Sequence, residues 1–512
     1  MARVLDLISR NRDPIGLLEH LSGGTVYPHS ITPLAGNVLF LCRQGASTRL
    51  GCLGQPDTAL QFQLTRAEAD IDRTLLTLGL GETNAHNAAA LRALVPHTAS
   101  SCLGLAKSVG LGDRLGIATP GHIRALRAAP GMRPILAQQS IREMGRTART
   151  PQDVIDAATW GVLQEGWTDG YGSDADHLKT RADIDVCAAA GFCLYTLDPR
   201  DHVDNAADTD DAATLSAKLD ALPWSRLETS LPALRANDAD QSWDIGDRAL
   251  TCNDEELARA AVKYGSAIAH LAEMYRHLLS VMGDRPFEVE ISVDETETPT
   301  RPVEHLFIAK ELQRLGVRWV SLAPRFVGRF EKGVDYIGDL TAFEQDFAWH
   351  ASIARALGPY KLSLHSGSDK FSIYPIAARL AGDLVHLKTA GTSYLEALRT
   401  LARVDSPLFR EILAFAIEHY EQDKASYHVS ARIDRMLTPG ALSDEQLPAA
   451  LDQFDTRQAL HVTFGTVMTQ RTSFGALRFR DRIYQAATLY EEEHYAALRS
   501  HFVRHMQPFI NT

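Results

Sequence analysis

Along residues 287–294 (FEVEISVD) apolar and polar positions alternate without a break. Phe287, Val289, Ile291 and Val293 take one face; Glu288, Glu290, Ser292 and Asp294 take the other. A period of two predicts a strand with one wet side. The same alternation opens KLSLHSGSDKFSIYP at 361–375, where Leu362 and Leu364 alternate with Lys361, Ser363 and His365. That run then breaks into Ser366-Gly367-Ser368-Asp369, a turn composition. Asp369 or Ser372 offers a cap, and Pro375 fits the first turn of a following helix.

The rest of the chain repeats this rhythm. Apolar runs predict strands near 114, 134, 193, 288, 318, 361, 384 and 461. Spacings of three and four predict helices between them, at 153–164, 182–190, 302–315, 340–357, 393–404, 408–424 and 480–505. Alternating strands and helices of this number predict an α/β fold, a (β/α)8 TIM-like barrel. A doubly wound open sheet is the weaker alternative, because no strand leads into GxGxxG or GxxxxGK[ST]. Residues 1–105 fall outside the rhythm and predict an appended α+β domain. There, 23–53 suggests hairpins, and 65–78 and 85–94 read as helices with Thr65 and Asn84 as caps. No catalytic constellation shows in this part, so support or oligomerisation is its expected role. The barrel then spans 106–512, interrupted at about 199–285 by a helical insertion with an acidic start and a long helix at 254–282.

Composition narrows the class of partner. With 45% hydrophobic and 23% charged residues, the 512-residue chain can bury a large core. A net charge of −12 argues against nucleic acid or an anionic membrane as partner. An anionic small molecule would need locally gathered Lys and Arg. Six scattered cysteines without a CxxC pair predict reduced thiols and a cytoplasmic protein. The start, MARVLDLISRNRD, lacks the apolar run of a signal peptide.

In a barrel, chemistry gathers at the C-terminal strand ends. Sorting polar residues by that rule selects His177 and Lys179 in DADHLKT, Asp294 and Glu295 after FEVEISV, His365 with Ser366, Ser368 and Lys370, and His386 with Lys388. The tetrapeptide His-Leu-Lys-Thr occurs at both 177 and 386. In an extended chain its imidazole and ammonium share a face. Each histidine alone is more often a hydrogen-bonded structural residue, and the recurrence at two strand ends favours function. Three histidines with nearby carboxylates suit a borderline divalent cation, Zn, Mn, Ni or Co, dispersed over several strands. His177, His365 and His386 are therefore the expected ligands. Lys179, Lys370 and Lys388, with Ser366 and Ser368, are expected to bind an anionic substrate.

The motifs GDRLGIATPGH, YGSDADHLKT, SVDETETPT, LHSGSDKFSIYP and VHLKTAG together resemble the tagaturonate epimerase family, over about residues 110–394. The resemblance implies a divalent-metal-dependent isomerase of hexuronate catabolism that interconverts D-tagaturonate and D-fructuronate. These ketouronates differ at a hydroxyl-bearing carbon two bonds from the ketone, whose C–H the carbonyl does not acidify. Retro-aldol cleavage to an enediolate and an aldehyde, followed by re-closure on the other face, inverts it. That needs a Lewis acid and an acid–base pair, for which Asp176 and Glu295 are the candidates. The alternatives are a metal-dependent aldolase or ketose isomerase on the same barrel, and a non-catalytic sugar-acid binding protein. A homo-oligomer is compatible with all three.

Overall fold

The computed structural model describes residues 13–54, 61–246 and 248–510, together with Val4 and Asn11. Most of the opening stretch inspected for a leader lies outside them. Among the described residues no helix is long and apolar enough to cross a membrane.

The N-terminal part is an antiparallel sheet of β1 (Thr25–Val26), β2 (Thr32–Leu34), β3 (Asn37–Gln44), β4 (Ser47–Gly54), β5 (Thr65–Ile71) and β6 (Thr74–Glu82). Residues 65–78, expected as a helix, form the β5–β6 hairpin instead. Its two-residue turn is Asp72-Arg73, both at positive φ, 50° and 63°, the conformation that matches the twist of paired strands. The buried positions Ala69, Ile71, Leu76 and Leu78 recur every second residue on each strand, and that period outweighs the helix formers between them. One face of the sheet packs Val38, Phe40 and Leu53 on Leu18. The other packs Leu39, Leu41 and Leu50 against Leu91 of the helix Ala85–Leu94 and Leu163 of the barrel helix Pro151–Glu165. Both faces are covered, which is why β3 reads as a continuous apolar run.

The part that follows is a closed barrel of eight parallel strands. They are β7 (Ser108–Leu111), β8 (Arg133–Ser140), β9 (Gly172–Leu178), β10 (Leu194–Leu197), β13 (Glu288–Val293), β14 (Ser321–Pro324), β15 (Lys361–Leu364) and β16 (Val385–Thr389). Between β10 and β13 lies the expected insertion. It carries two short helices, the hairpin β11 (Gln241–Asp244) and β12 (Ala249–Cys252), and the 29-residue helix Asp254–Met282 capped by Asn253.

Three strand expectations needed correction. The first strand lies at 108–111, not near 114. The carboxylate of Asp113 accepts from the N–H groups of Leu115, Gly116 and Ala118 at 2.7–3.1 Å, folding RLGIAT into a turn ahead of the helix Thr119–Ala128. The segment at 460–466 closes no barrel. It belongs to two consecutive helices, Phe454–Val462 and Phe464–Thr469, buried on nearly every side among Leu398, Phe409 and Leu413. A helix buried all round has no polar stripe and mimics a strand. The eighth strand is β9, in the stretch expected to be a loop. Ahead of His177 and Leu178 its side chains are small or acidic, so it shows no apolar face.

That composition reflects an unusual interior. Barrel cores are ordinarily filled with branched apolar side chains. Here polar groups cross the axis: Lys388 on β16 reaches Asp174 on β9, Thr196 on β10 and Glu290 on β13, none of them a neighbouring strand. Lys361 on β15 reaches Ser108 on β7.

Candidate functional site

Strand ends place the side chains. His177 closes β9 in a left-handed conformation, φ 55°, and Ser366, just past β15, has φ 49°. Non-glycine residues rarely hold this conformation, and such positions concentrate at functional sites. Asp198 follows β10, and Asp294 and Glu295 follow β13. The chain turns directly after Val293, so both acids line one cavity of about 390 Å³, along with Arg142, Arg200, Arg325, Lys332, His365 and Ser366. This size falls within the usual range for small-molecule sites, about 300–1,000 Å³. A roomier cavity of about 470 Å³ lies between the N-terminal sheet and helix Pro151–Glu165, lined by Tyr27 and Trp160 and apart from these strand ends.

Two imidazoles are each backed by a carboxylate. His177 Nδ1 lies 3.1 Å from Asp198 Oδ2, while its Nε2 lies 3.6 Å from Asp176 Oδ1. His365 Nε2 lies 2.6 Å from Glu290 Oε1, and its Nδ1 3.1 Å from Asp294 Oδ1. The ring centroids are 5.1 Å apart. Each imidazole is thus held between two carboxylates, and a carboxylate behind one nitrogen, fixing the tautomer, is the usual support of a metal-ligating histidine. Ligand atoms of His177, Asp294 and His365 all lie within 4.8 Å of one another, as do those of His177, Asp198 and Glu295.

Beneath them Lys388 Nζ sits 2.7–2.9 Å from Glu290, Asp174 and Asp176. Burial works against its charge, but these three carboxylates outweigh it and hold the ammonium well above its ordinary range. In return Asp176, despite burial, is held below the usual carboxylate range by Lys388, then His177 and His365. Burial also opposes charge on His177, yet Asp176 and the Asp198 hydrogen bond raise it to about 10. The carboxylates of Asp174, Asp176, Asp198, Glu290 and Asp294 thus face one lysine and two imidazoles. With the imidazoles neutral, this donor set carries excess negative charge, and it fits a divalent cation held by nitrogen and oxygen.

Of the expected ligands, the structure brings His177 and His365 together and leaves His386 out. His386 lies deeper in the barrel, its Nδ1 3.0 Å from Ser108 Oγ, with burial pushing it down to about 3. Asp294 occupies the third place. Of the expected anion binders, Ser366 lines the cavity and the others are engaged elsewhere. Lys179 pairs with Asp201 at 2.9 Å, and Lys388 belongs to the charge network below. Lys370 Nζ donates to the carbonyls of Glu331, Val334 and Ser368, and Ser368 Oγ accepts from Ala390 N–H at 3.2 Å. Both brace the loop. Of the two expected acid–base groups, Glu295 lines the cavity between Arg142 and Arg200, whereas Asp176 lies below it, 2.9 Å from Lys388 and 3.6 Å from His177. Asp198 stood at an expected strand end and was findable. Arg142 opens the helix Ile141–Thr147 after β8, Arg325 directly follows β14, and Lys332 lies in the irregular segment beyond it, which carries no periodic signal.

A second convergence, Asp369 with His501 and His505, differs in kind. There the Nε2 of His505 accepts the N–H of Asp369 at 2.9 Å, and Asp369 pairs with Arg457 at 2.7 Å. These bonds tie the loop after β15 to the helices Phe454–Val462 and Glu491–Met506.

Eight parallel strands that gather imidazoles, acids and cations around one cavity at their C-terminal ends define a (β/α)8-barrel enzyme for a small polar substrate. The family model for UxaE, tagaturonate epimerase, matches residues 27–509, and the chain belongs to the tagaturonate epimerase family. It is 40% identical over 491 residues to the tagaturonate/fructuronate epimerase of Thermotoga maritima, covering 94% of this chain and 96% of that one. The native crystal structure of the fructuronate-tagaturonate epimerase UxaE from Cohnella laeviribosi is similar, with a TM-score of 0.89 and 37% identity over 96% of this chain and 98% of that one. The same Cohnella enzyme with one glycerol bound matches with the same score.

Proposed function

We propose that the protein interconverts D-tagaturonate and D-fructuronate in the cytoplasm, with a divalent cation held by His177, Asp294 and His365. The observation that carries this reading is an acid-rich barrel mouth with two carboxylate-backed imidazoles in a chain of this family. Such a cation, Zn, Mn, Ni or Co, supplies Lewis-acid stabilisation of the ketone oxygen and of the charge that develops there.

The chain's own groups supply the proton transfers. A base takes the proton from the hydroxyl of the inverting carbon. The O–H electron pair forms an aldehyde C=O, and the bond to the ketone-side carbon breaks. Its electron pair is delocalised onto the ketone as an enediolate. The aldehyde turns, the carbon–carbon bond re-forms on the other face, and the new alkoxide takes a proton. Asp176 and Glu295, on separate strand ends, are the acid–base pair of this proposal. Arg142 and Arg200 orient Glu295, and Asp198 and Glu290 orient the imidazoles.

Purified protein incubated with D-tagaturonate and followed by NMR tests this reading. The expected product is D-fructuronate alone, lost on chelation and restored by one of the four metals. Three-carbon fragments would indicate an aldolase, an aldose an isomerase, and binding without turnover a silent sugar-acid receptor.

A further inference from the structure

The cations around the cavity sort sharply by what they already hold. Arg142 and Arg200 share Glu295, Arg329 lies 3.5 Å from Glu331, Arg457 holds Asp369 and Lys388 holds three acids. Two are left over. Among the described residues no carboxylate oxygen lies within ion-pair distance of Lys332, whose Nζ makes one hydrogen bond, to Ser366 Oγ at 2.7 Å. The guanidinium of Arg325, on the same cavity wall, makes neither a hydrogen bond nor an ion pair among the described residues.

Resting on the epimerase reading, we propose that Lys332, braced by Ser366 and sharing the cavity with Arg325, is the seat of the substrate's carboxylate and sets the preference for a uronate over a neutral ketose. Lys332 is half-buried, and a cation partly withdrawn from water with no carboxylate in ion-pair contact is less favourable than a paired one. An ammonium has three donors, so Lys332 retains two for an incoming anion. Burial pushes its amine below the ordinary range, and a carboxylate bound beside it restores the charged form. The strained backbone at Ser366 fits the same role, since it aims the hydroxyl at Lys332 directly beyond His365. This places the anion seat next to the imidazole and Asp294, so that one end of the ketouronate is anchored while the other is worked on. Charge-assisted bonds of this kind are the strong ones, and losing one raises a dissociation constant about tenfold or more.

Calorimetric titration of the ketouronate into wild type, Lys332→Met and Lys218→Met tests the inference apart from turnover. Lys218→Met removes the same charge from the insertion, where Lys218 pairs with Asp204 and Asp210. The expected result is a dissociation constant raised tenfold or more in Lys332→Met and unchanged in Lys218→Met, with the same thermal unfolding profile for all three proteins. Arg325→Met should show a smaller rise in the same direction. Equal affinity of Lys332→Met and wild type, or no binding by wild type, overturns the carboxylate seat. Tight binding to wild type through Lys332 with no product by NMR would retain the seat and reject the epimerase.

Discussion

His365 lies just past β15 and His386 near the start of the neighbouring β16, opposite Ser363, and their surroundings assign them different work. His365 lies between Glu290 and Asp294 and lines the cavity. His386 is a layer lower, against Ser108 and far enough inside that burial keeps it neutral. His365→Ala should therefore reduce bound metal in a metal-reconstituted preparation, and His386→Ala should leave occupancy intact. The reverse pattern would move the proposed ligand set one layer down. In the same series Glu295→Gln should keep its metal and lose turnover by about 10²–10⁴-fold, the range of a general acid or base. Near-normal turnover would leave Glu295 as no more than the partner of Arg142 and Arg200. His177, His365 and the acids at 176 and 295 could be picked out in the sequence as candidates because they sit at strand ends. Lys179, Lys370 and Lys388 shared that position and still point away from the cavity. Sequence position fixes where a Cα emerges, whereas a long flexible lysine goes to whichever acid or carbonyl is nearest.

At the scale of elements, apolar faces found strands β8, β10, β13, β14, β15 and β16, and they failed where burial does not create such a face. β9 was missed because the side it buries is acidic: Asp174 and Asp176 point at Lys388. The helix pair at 454–469 was misread because it is buried on nearly every side, polar positions such as Arg457, Gln458 and His461 included, so no exposed polar stripe marks its period. The loop after β15 shows what holds the mouth in place. Burial pushes the Asp369 carboxyl up, but Arg457, and then His501 and His505, outweigh it and hold it below the usual range. A carboxyl with a lowered folded value contributes stability above its unfolded pKa of 3.8 and loses it as pH falls below. Asp369→Asn leaves the Arg457 charge buried without its partner, which costs about 3–5 kcal/mol at neutral pH. Urea unfolding should show that deficit at pH 7 and a smaller one at pH 3.5. A deficit unchanged with pH would mean that the pair's charge is not what ties the loop.

Over the whole molecule, two designs meet. The outer shell and the N-terminal sheet are held by ordinary apolar packing, and that was the part legible as an α/β barrel with an appended domain. The barrel's axis is polar, with lysines, acids and imidazoles satisfied across non-neighbouring strands. Such an interior cannot be seen from any single strand, because its groups are balanced by distant partners, 21 residues away for His177 and Asp198 and 212 away for Asp176 and Lys388. Its consequence is a rigid, strongly anionic floor under the proposed cation, with an anion seat at the rim. The central claim is that this mouth inverts a carbon by breaking and re-forming a carbon–carbon bond. Turnover of D-tagaturonate in D₂O, followed by proton NMR, tests it most directly. Cleavage and re-closure never break the C–H bond of the inverting carbon, so the D-fructuronate formed should keep protium there. Deuterium at that carbon would show inversion by deprotonation and contradict the account.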